Sequence, residues 1–171
     1  MPKVYLMCGK ICSGKSTHAA ELRKEKKAVL LSVDDLTMLL LGPYAGDKLD
    51  EYVEKLEGYF YMKSLEIIDS GINVILDWGF WTRRERDYAR SFYGSRNIDY
   101  EFHFTDIDDE EWHRRIEKRN QDILEHKSNA YYVDEGLASK FSAIFEKPEK
   151  EEPGIWVNSE GTGRYEAEAF T

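Results

Sequence analysis

Val4-Tyr5-Leu6-Met7-Cys8 runs directly into Gly9-Lys10-Ile11-Cys12-Ser13-Gly14-Lys15-Ser16-Thr17. The first five residues are apolar and read as a buried strand. The next eight fit G-x-x-x-x-G-K-S, the phosphate-gripping P-loop pattern, in the strand-to-helix context that gives it meaning. Gly9 and Gly14 permit backbone conformations that a Cβ would obstruct. Successive N–H groups can then turn inward around a phosphate. Lys15 reaches the β- and γ-phosphates, and the Ser16 hydroxyl is placed to coordinate Mg²⁺. The helix that opens near Lys15 adds the positive end of its dipole. Gly9, Ser13, Gly14, Lys15, Ser16 and Thr17 are therefore the expected nucleotide-binding set, with Ser16 the metal ligand. At background residue frequencies the four fixed positions match by accident in about one chain of this length in a hundred.

The rest of the chain alternates strand and helix patterns. Strands are expected at about 3–8, 28–33, 72–76, 99–104 and 155–157. Helices are expected at about 15–26, where Ala19, Ala20 and Leu22 face the sheet, and at 36–41, 47–70, 82–94, 108–126 and 134–146. Gly42-Pro43 and Gly71 read as stop signals. The polar tail is expected to close with a short helix. Near-continuous apolar strands separated by helices predict an α/β fold with a parallel sheet covered on both faces. No repeat, low-complexity tract or linker divides the 171 residues, so residues 1–171 read as one domain.

Bulk properties narrow the function. The formal net charge is −9, whereas dedicated nucleic-acid binders usually carry a basic patch or high pI. A small-molecule partner is favoured and nucleic acid disfavoured. No apolar run approaches the roughly 20 residues that cross a bilayer, and the N-terminus reads straight into a strand with no signal peptide. No membrane partner is expected. Cys8 and Cys12 lack the Cys/His neighbours of a zinc site and are expected as reduced thiols in a cytoplasmic protein. The four histidines do not cluster in sequence and are expected as structural or exposed. The sequence carries no signal for oligomeric state.

Ligands of open parallel sheets bind beyond the carboxyl ends of the strands. Strand two ends at Ser32-Val33-Asp34-Asp35, which delivers carboxylates to the same crevice as the P-loop. Asp34 is the expected base that orients an acceptor hydroxyl, and Asp35 the expected cap of the following helix. Strand three ends at Asp77, followed by Trp78-Gly79-Phe80-Trp81. Asp77, Trp78 and Trp81, with Asp35, are candidate acceptor-side residues, and a metal-bound water and a neighbouring arginine are the other partners open to Asp77. The aromatic side chains either wall a pocket or pack beneath the next helix. Of Arg83, Arg84 and Arg86, at least one is expected to pair structurally with a carboxylate. Arg115 and Arg119 lie four apart on the charged helix, hence on one face. Their planar guanidinium groups suit phosphate oxygens, so they are candidates for a lid, about 108–130, that closes over the triphosphate.

These four segments occur in one order: the P-loop, Ser-Val-Asp-Asp at 32–35, Val-Ile-Leu-Asp-Trp-Gly-Phe-Trp-Thr-Arg-Arg-Glu-Arg at 74–86, and Arg-Arg-Ile-Glu-Lys-Arg-Asn at 114–120. Together they resemble the small P-loop kinases grouped with zeta toxins, chloramphenicol phosphotransferase and the kinase domain of phage polynucleotide kinase. The resemblance spans about residues 3–158. It implies a nucleoside-kinase-like, three-layer sandwich with a five-stranded parallel sheet of order 2-3-1-4-5 and a helical lid. It implies ATP and Mg²⁺ as cofactors, Lys15 and Ser16 on the phosphates and metal, Asp34 as general base, and Arg115 and Arg119 as lid arginines. One departure concerns the acceptor: polynucleotide kinases of this type often carry an arginine shortly after the Asp-Asp pair, where this chain reads Leu36-Thr37-Met38.

The leading expectation is an ATP-dependent kinase acting on a hydroxyl of a small-molecule acceptor. A polynucleotide 5′-hydroxyl kinase and a nucleotide-binding regulatory module are the alternatives. The guanine-reading Asn-Lys-x-Asp is absent, against a GTPase switch. No acidic pair closes strand three, against a motor-type ATPase.

Overall fold

The computed structural model describes residues 1–42, 48–128 and 130–157, and the backbone of 164–166. Five strands run parallel in the order β2-β3-β1-β4-β5: β1 Val4–Cys8, β2 Val29–Ser32, β3 Val74–Asp77, β4 Tyr100–Thr105 and β5 Ile155–Val157. A sixth strand, β6 Arg164–Glu166, adds antiparallel to β5. The expected terminal helix is thus replaced at 164–166 by an edge strand, because the exposed edge of β5 offers that backbone ready-made hydrogen-bond partners.

Side-chain alternation along β1 explains the layers. Val4, Leu6 and Cys8 enter one core with Val74, Leu76, Phe102 and Phe104. Tyr5 and Met7 enter a second with Ile75 on the opposite face. Helix α1 (Lys15–Lys26) covers the second face through Ala19 and Leu22. Ala20, expected to face the sheet, is exposed, being one residue, or 100°, away from that stripe. The first face is covered by α3 (Leu49–Asp69) and α4 (Arg83–Gly94), through Phe60, Tyr61, Ala89, Phe92 and Tyr93. Short helix α2 (Val33–Leu41) joins β2 to this layer. Pro43 and residue 47, parts of an expected stop and helix start, lie outside the described residues.

A third cluster stands apart from the sheet. Helices α5 (Asp109–Leu124) and α6 (Glu135–Ile144) contribute Trp112, Ile116, Leu137, Ala138 and Phe141, and the P-loop contributes Ile11 and Cys12. Local chemistry fixes where these helices start. Thr82 and Glu85 form a reciprocal capping box on α4. Asp108 accepts from Glu111 N–H at 2.8 Å and Asp134 from Leu137 N–H at 2.7 Å. Among the described residues, no helix is long and apolar enough to cross a membrane.

Candidate active site

The loop between β1 and α1 is built by close approach and by reversed backbone turns. A Cβ on Gly9 would lie 2.1 Å from Thr105 Oγ1 and 2.9 Å from the Thr105 carbonyl, so only glycine fits against β4. Gly14 caps α1 with φ 98°, and Cys12 adopts φ 61°. Such left-handed residues reverse the chain so that neighbouring N–H groups can face one side. Ser13 serves the loop itself. Its hydroxyl lies 2.6 Å from Thr105 Oγ1, and its N–H donates to the Lys10 carbonyl at 3.2 Å. The Lys15 ammonium also donates to that carbonyl, at 2.7 Å. Ser16 and Thr17 are exposed at the start of α1, and the Ser16 hydroxyl, bonded to Asp77, lies at the mouth of the crevice beyond the strand ends.

The acids gather at this mouth. Asp77 ends β3 and is 5% exposed. Burial pushes its carboxyl above the usual range, while Lys15 and a hydrogen bond from Ser16 pull it back and Asp34 and Asp35 push it further up. Burial likewise draws Lys15 below the usual lysine value, against Asp77 first and Asp34 second. These mutual effects place Lys15, Ser16, Asp34 and Asp77 within electrostatic reach of one another. Asp34 and Asp35 are exposed in the first turn of α2, where carboxylates suit the helix dipole. The capping assignment changes. Helix α2 starts at Val33, not 36, and Ser32 is the cap, its hydroxyl accepting from Asp35 N–H at 3.2 Å. A serine immediately before the helix does this better than a carboxylate already inside it.

The segment after Asp77 divides. Trp78 and Phe80 are buried and stacked 4.8 Å apart in the sheet core. Trp81 is partly exposed and meets Phe141 of α6 edge-on at 4.8 Å. Arg86 is 1% exposed, and its guanidinium grips both oxygens of Glu152 at 2.9 Å. Arg90 reaches Glu152 at 2.6 Å, and Arg83 pairs with Asp87 and Glu149. Arg84 is exposed.

Of the two arginines expected in a lid, Arg119 is brought to the P-loop. It lies 3.7 Å from Cys12 Sγ and donates to the Tyr131 carbonyl at 3.2 Å. Arg115 pairs with Glu111 at 2.6 Å, one turn earlier on the same helix. Both cysteines are free thiols.

Residues 4–146 of the sequence match the family described as AAA domain. The chain belongs to that family. No curated protein matches the sequence of this AAA-domain protein at a significant level. Solved structures share its fold. A sugar kinase from Janibacter sp. is 19% identical over 94% of this chain and 86% of its own, with a TM-score of 0.62. The Mycobacterium tuberculosis APS kinase, solved with AMPPNP and APS, is 18% identical over 92% and 88%, also at 0.62. A chain of the Pnkp1/Rnl/Hen1 RNA repair complex is 22% identical over 84% of this chain but 43% of its own, at 0.67.

Several contributors in this AAA-domain protein escape a linear reading. Trp112 is 2% exposed and donates its indole N–H to the Ile11 carbonyl at 2.7 Å. Its spacing to Ile116 signals a buried helix face but not which partner it meets. The histidines, separate in sequence, do meet: His18 Nε2 and His103 Nδ1 are 2.7 Å apart, and His103 Nε2 lies 2.9 Å from Glu101. Packing α1 on β4 brings together residues 85 positions apart.

Proposed function

We propose that this AAA-domain protein is an ATP-dependent kinase that transfers the γ-phosphoryl group to a hydroxyl of a small-molecule acceptor. One observation carries the reading: an ammonium from the P-loop, Lys15, shares one crevice with carboxylates from the ends of two neighbouring strands, Asp34 and Asp77. That is the minimum set for in-line transfer, in which positioning and charge neutralisation do most of the work. Lys15 leaves the Lys10 carbonyl and pairs with phosphate oxygens. Asp34, exposed at the mouth, orients the acceptor hydroxyl and takes its proton. Arg119, already at the loop, covers the phosphates, and Arg115 supports it one turn away.

The donor set fits Mg²⁺. The Ser16 hydroxyl and Asp77 carboxylate are hard oxygen ligands, and magnesium bound with nucleotide needs only one or two protein oxygens beside phosphates and water. When bound, the metal neutralises charge on the transferring group. The same fold is found in a sugar kinase and an APS kinase, which supports a small acceptor. The net charge of −9 and the Leu36-Thr37-Met38 sequence favour that acceptor over a polynucleotide. Two free thiols suit a reducing compartment such as the cytoplasm.

A transfer screen with [γ-³²P]ATP across sugars, nucleosides, antibiotics and 5′-hydroxyl oligonucleotides tests the reading. Labelling of a small molecule is expected; labelling of oligonucleotide alone would replace the acceptor class. Replacing Asp34 by Asn should lower turnover about 10²- to 10⁴-fold and leave ATP affinity nearly unchanged in calorimetry. Full turnover in Asp34→Asn would remove Asp34 from the mechanism.

A further inference from the structure

Cys12 holds φ 61° without being glycine. L-residues enter this region at a cost and persist there only when neighbours over-determine the backbone. The neighbour here is Trp112. Its indole N–H holds the Ile11 carbonyl at 2.7 Å from the α5 side of the loop. Ile11 C=O and Cys12 N–H belong to one trans peptide plane, so they point in opposite directions. Fixing the carbonyl outward toward α5 aims the Cys12 amide inward, into the concave side of the loop. The indole is itself held in place. The Lys10 ammonium lies 4.6 Å above the ring and bonds Asp109 of the same helix at 3.1 Å.

Building on the nucleotide-binding reading above, we propose that Trp112 is a positioning residue for phosphate: through the Ile11 carbonyl it presets the Cys12 amide toward the polyphosphate. Helix α5 is thereby part of the phosphate site from outside the loop.

The test is calorimetry on the full chain with Mg²⁺-tripolyphosphate and MgATP, for wild type and Trp112→Phe, which keeps a ring but lacks the donor. Both dissociation constants should rise by the same factor, about three- to tenfold for one hydrogen bond. Equal affinities in the two proteins, or a loss for ATP without one for tripolyphosphate, would overturn the proposal. Failure of the nucleotide reading looks different: wild type would then bind neither ligand, and both ideas fall together. Should Trp112→Phe not fold, wild type suffices. The ¹⁵N-labelled indole should show through-hydrogen-bond coupling to a ¹³C-labelled isoleucine carbonyl, retained when tripolyphosphate is added. Loss of that coupling on phosphate binding would refute the role.

Discussion

Lys15 shows how one side chain is kept ready. Half-buried and drawn below its usual pKa by desolvation, it satisfies its ammonium with the Lys10 carbonyl at 2.7 Å and with the field of Asp77 and Asp34. An incoming phosphate offers a stronger, charge-assisted bond than a carbonyl, so the exchange favours the ligand. Replacing Lys15 by Ala should weaken MgATP binding about 10- to 100-fold, the range for a hydrogen bond to a charged group, as read by calorimetry. The motif alone predicts this residue. It does not predict that the Ser13 hydroxyl is committed to Thr105, since β4 is 92 residues distant in sequence and the contact exists only once the sheet has formed.

At the level of elements, two carboxyls set how helices tolerate pH. Glu57 of α3 is pushed up to about 7 by burial, then by Glu85 and Glu54. A carboxyl whose folded pKa is raised favours folding while protonated. That advantage is full below about 4.5 and disappears as pH rises through 7. Glu57→Gln should therefore raise the melting temperature at pH 8 and leave it unchanged at pH 4. Glu152 behaves oppositely. Burial opposes its ionisation, but Arg86 and Arg90 overcome this and hold it at about 2. Its contribution is present above about 4.5 and is lost as pH falls toward 2. Because Arg86 is 1% exposed and also bonds the Phe80 and Glu146 carbonyls, Glu152→Gln strands a buried charge. It should cost about 3–5 kcal/mol at pH 7 in urea unfolding, with a smaller gap at pH 3. The sequence indicates that an arginine after β3 finds a carboxylate. Choosing Arg86, and a partner 66 residues away, takes the packing of α4 against the segment before β5.

On the scale of the whole molecule, three clusters of buried side chains among the described residues draw on the strand–loop–helix segment 4–26: two on the faces of the sheet, one with α5 and α6. A ligand held there ties them together. MgATP at a hundred times its dissociation constant should stabilise the fold by about 2.7 kcal/mol. In a chain of this size that is about 5–10 °C in thermal denaturation. Adding ATP to Lys15→Ala under the same conditions should give a much smaller shift.

Neighbouring residues alone were enough for the α/β class, for β1 to β5 and α1 to α6 to within a few residues, and for the G-x-x-x-x-G-K-S loop. Apolar periodicity, caps and the G-x-x-x-x-G-K-S spacing are local properties, written in neighbouring residues. Only packing decided that β6 adds beside β5, that His18 meets His103, and that Trp112 meets the loop from α5. Each of these depends on which elements come to lie side by side. That choice is made by burying one face of a helix or strand against another, and no single segment encodes it.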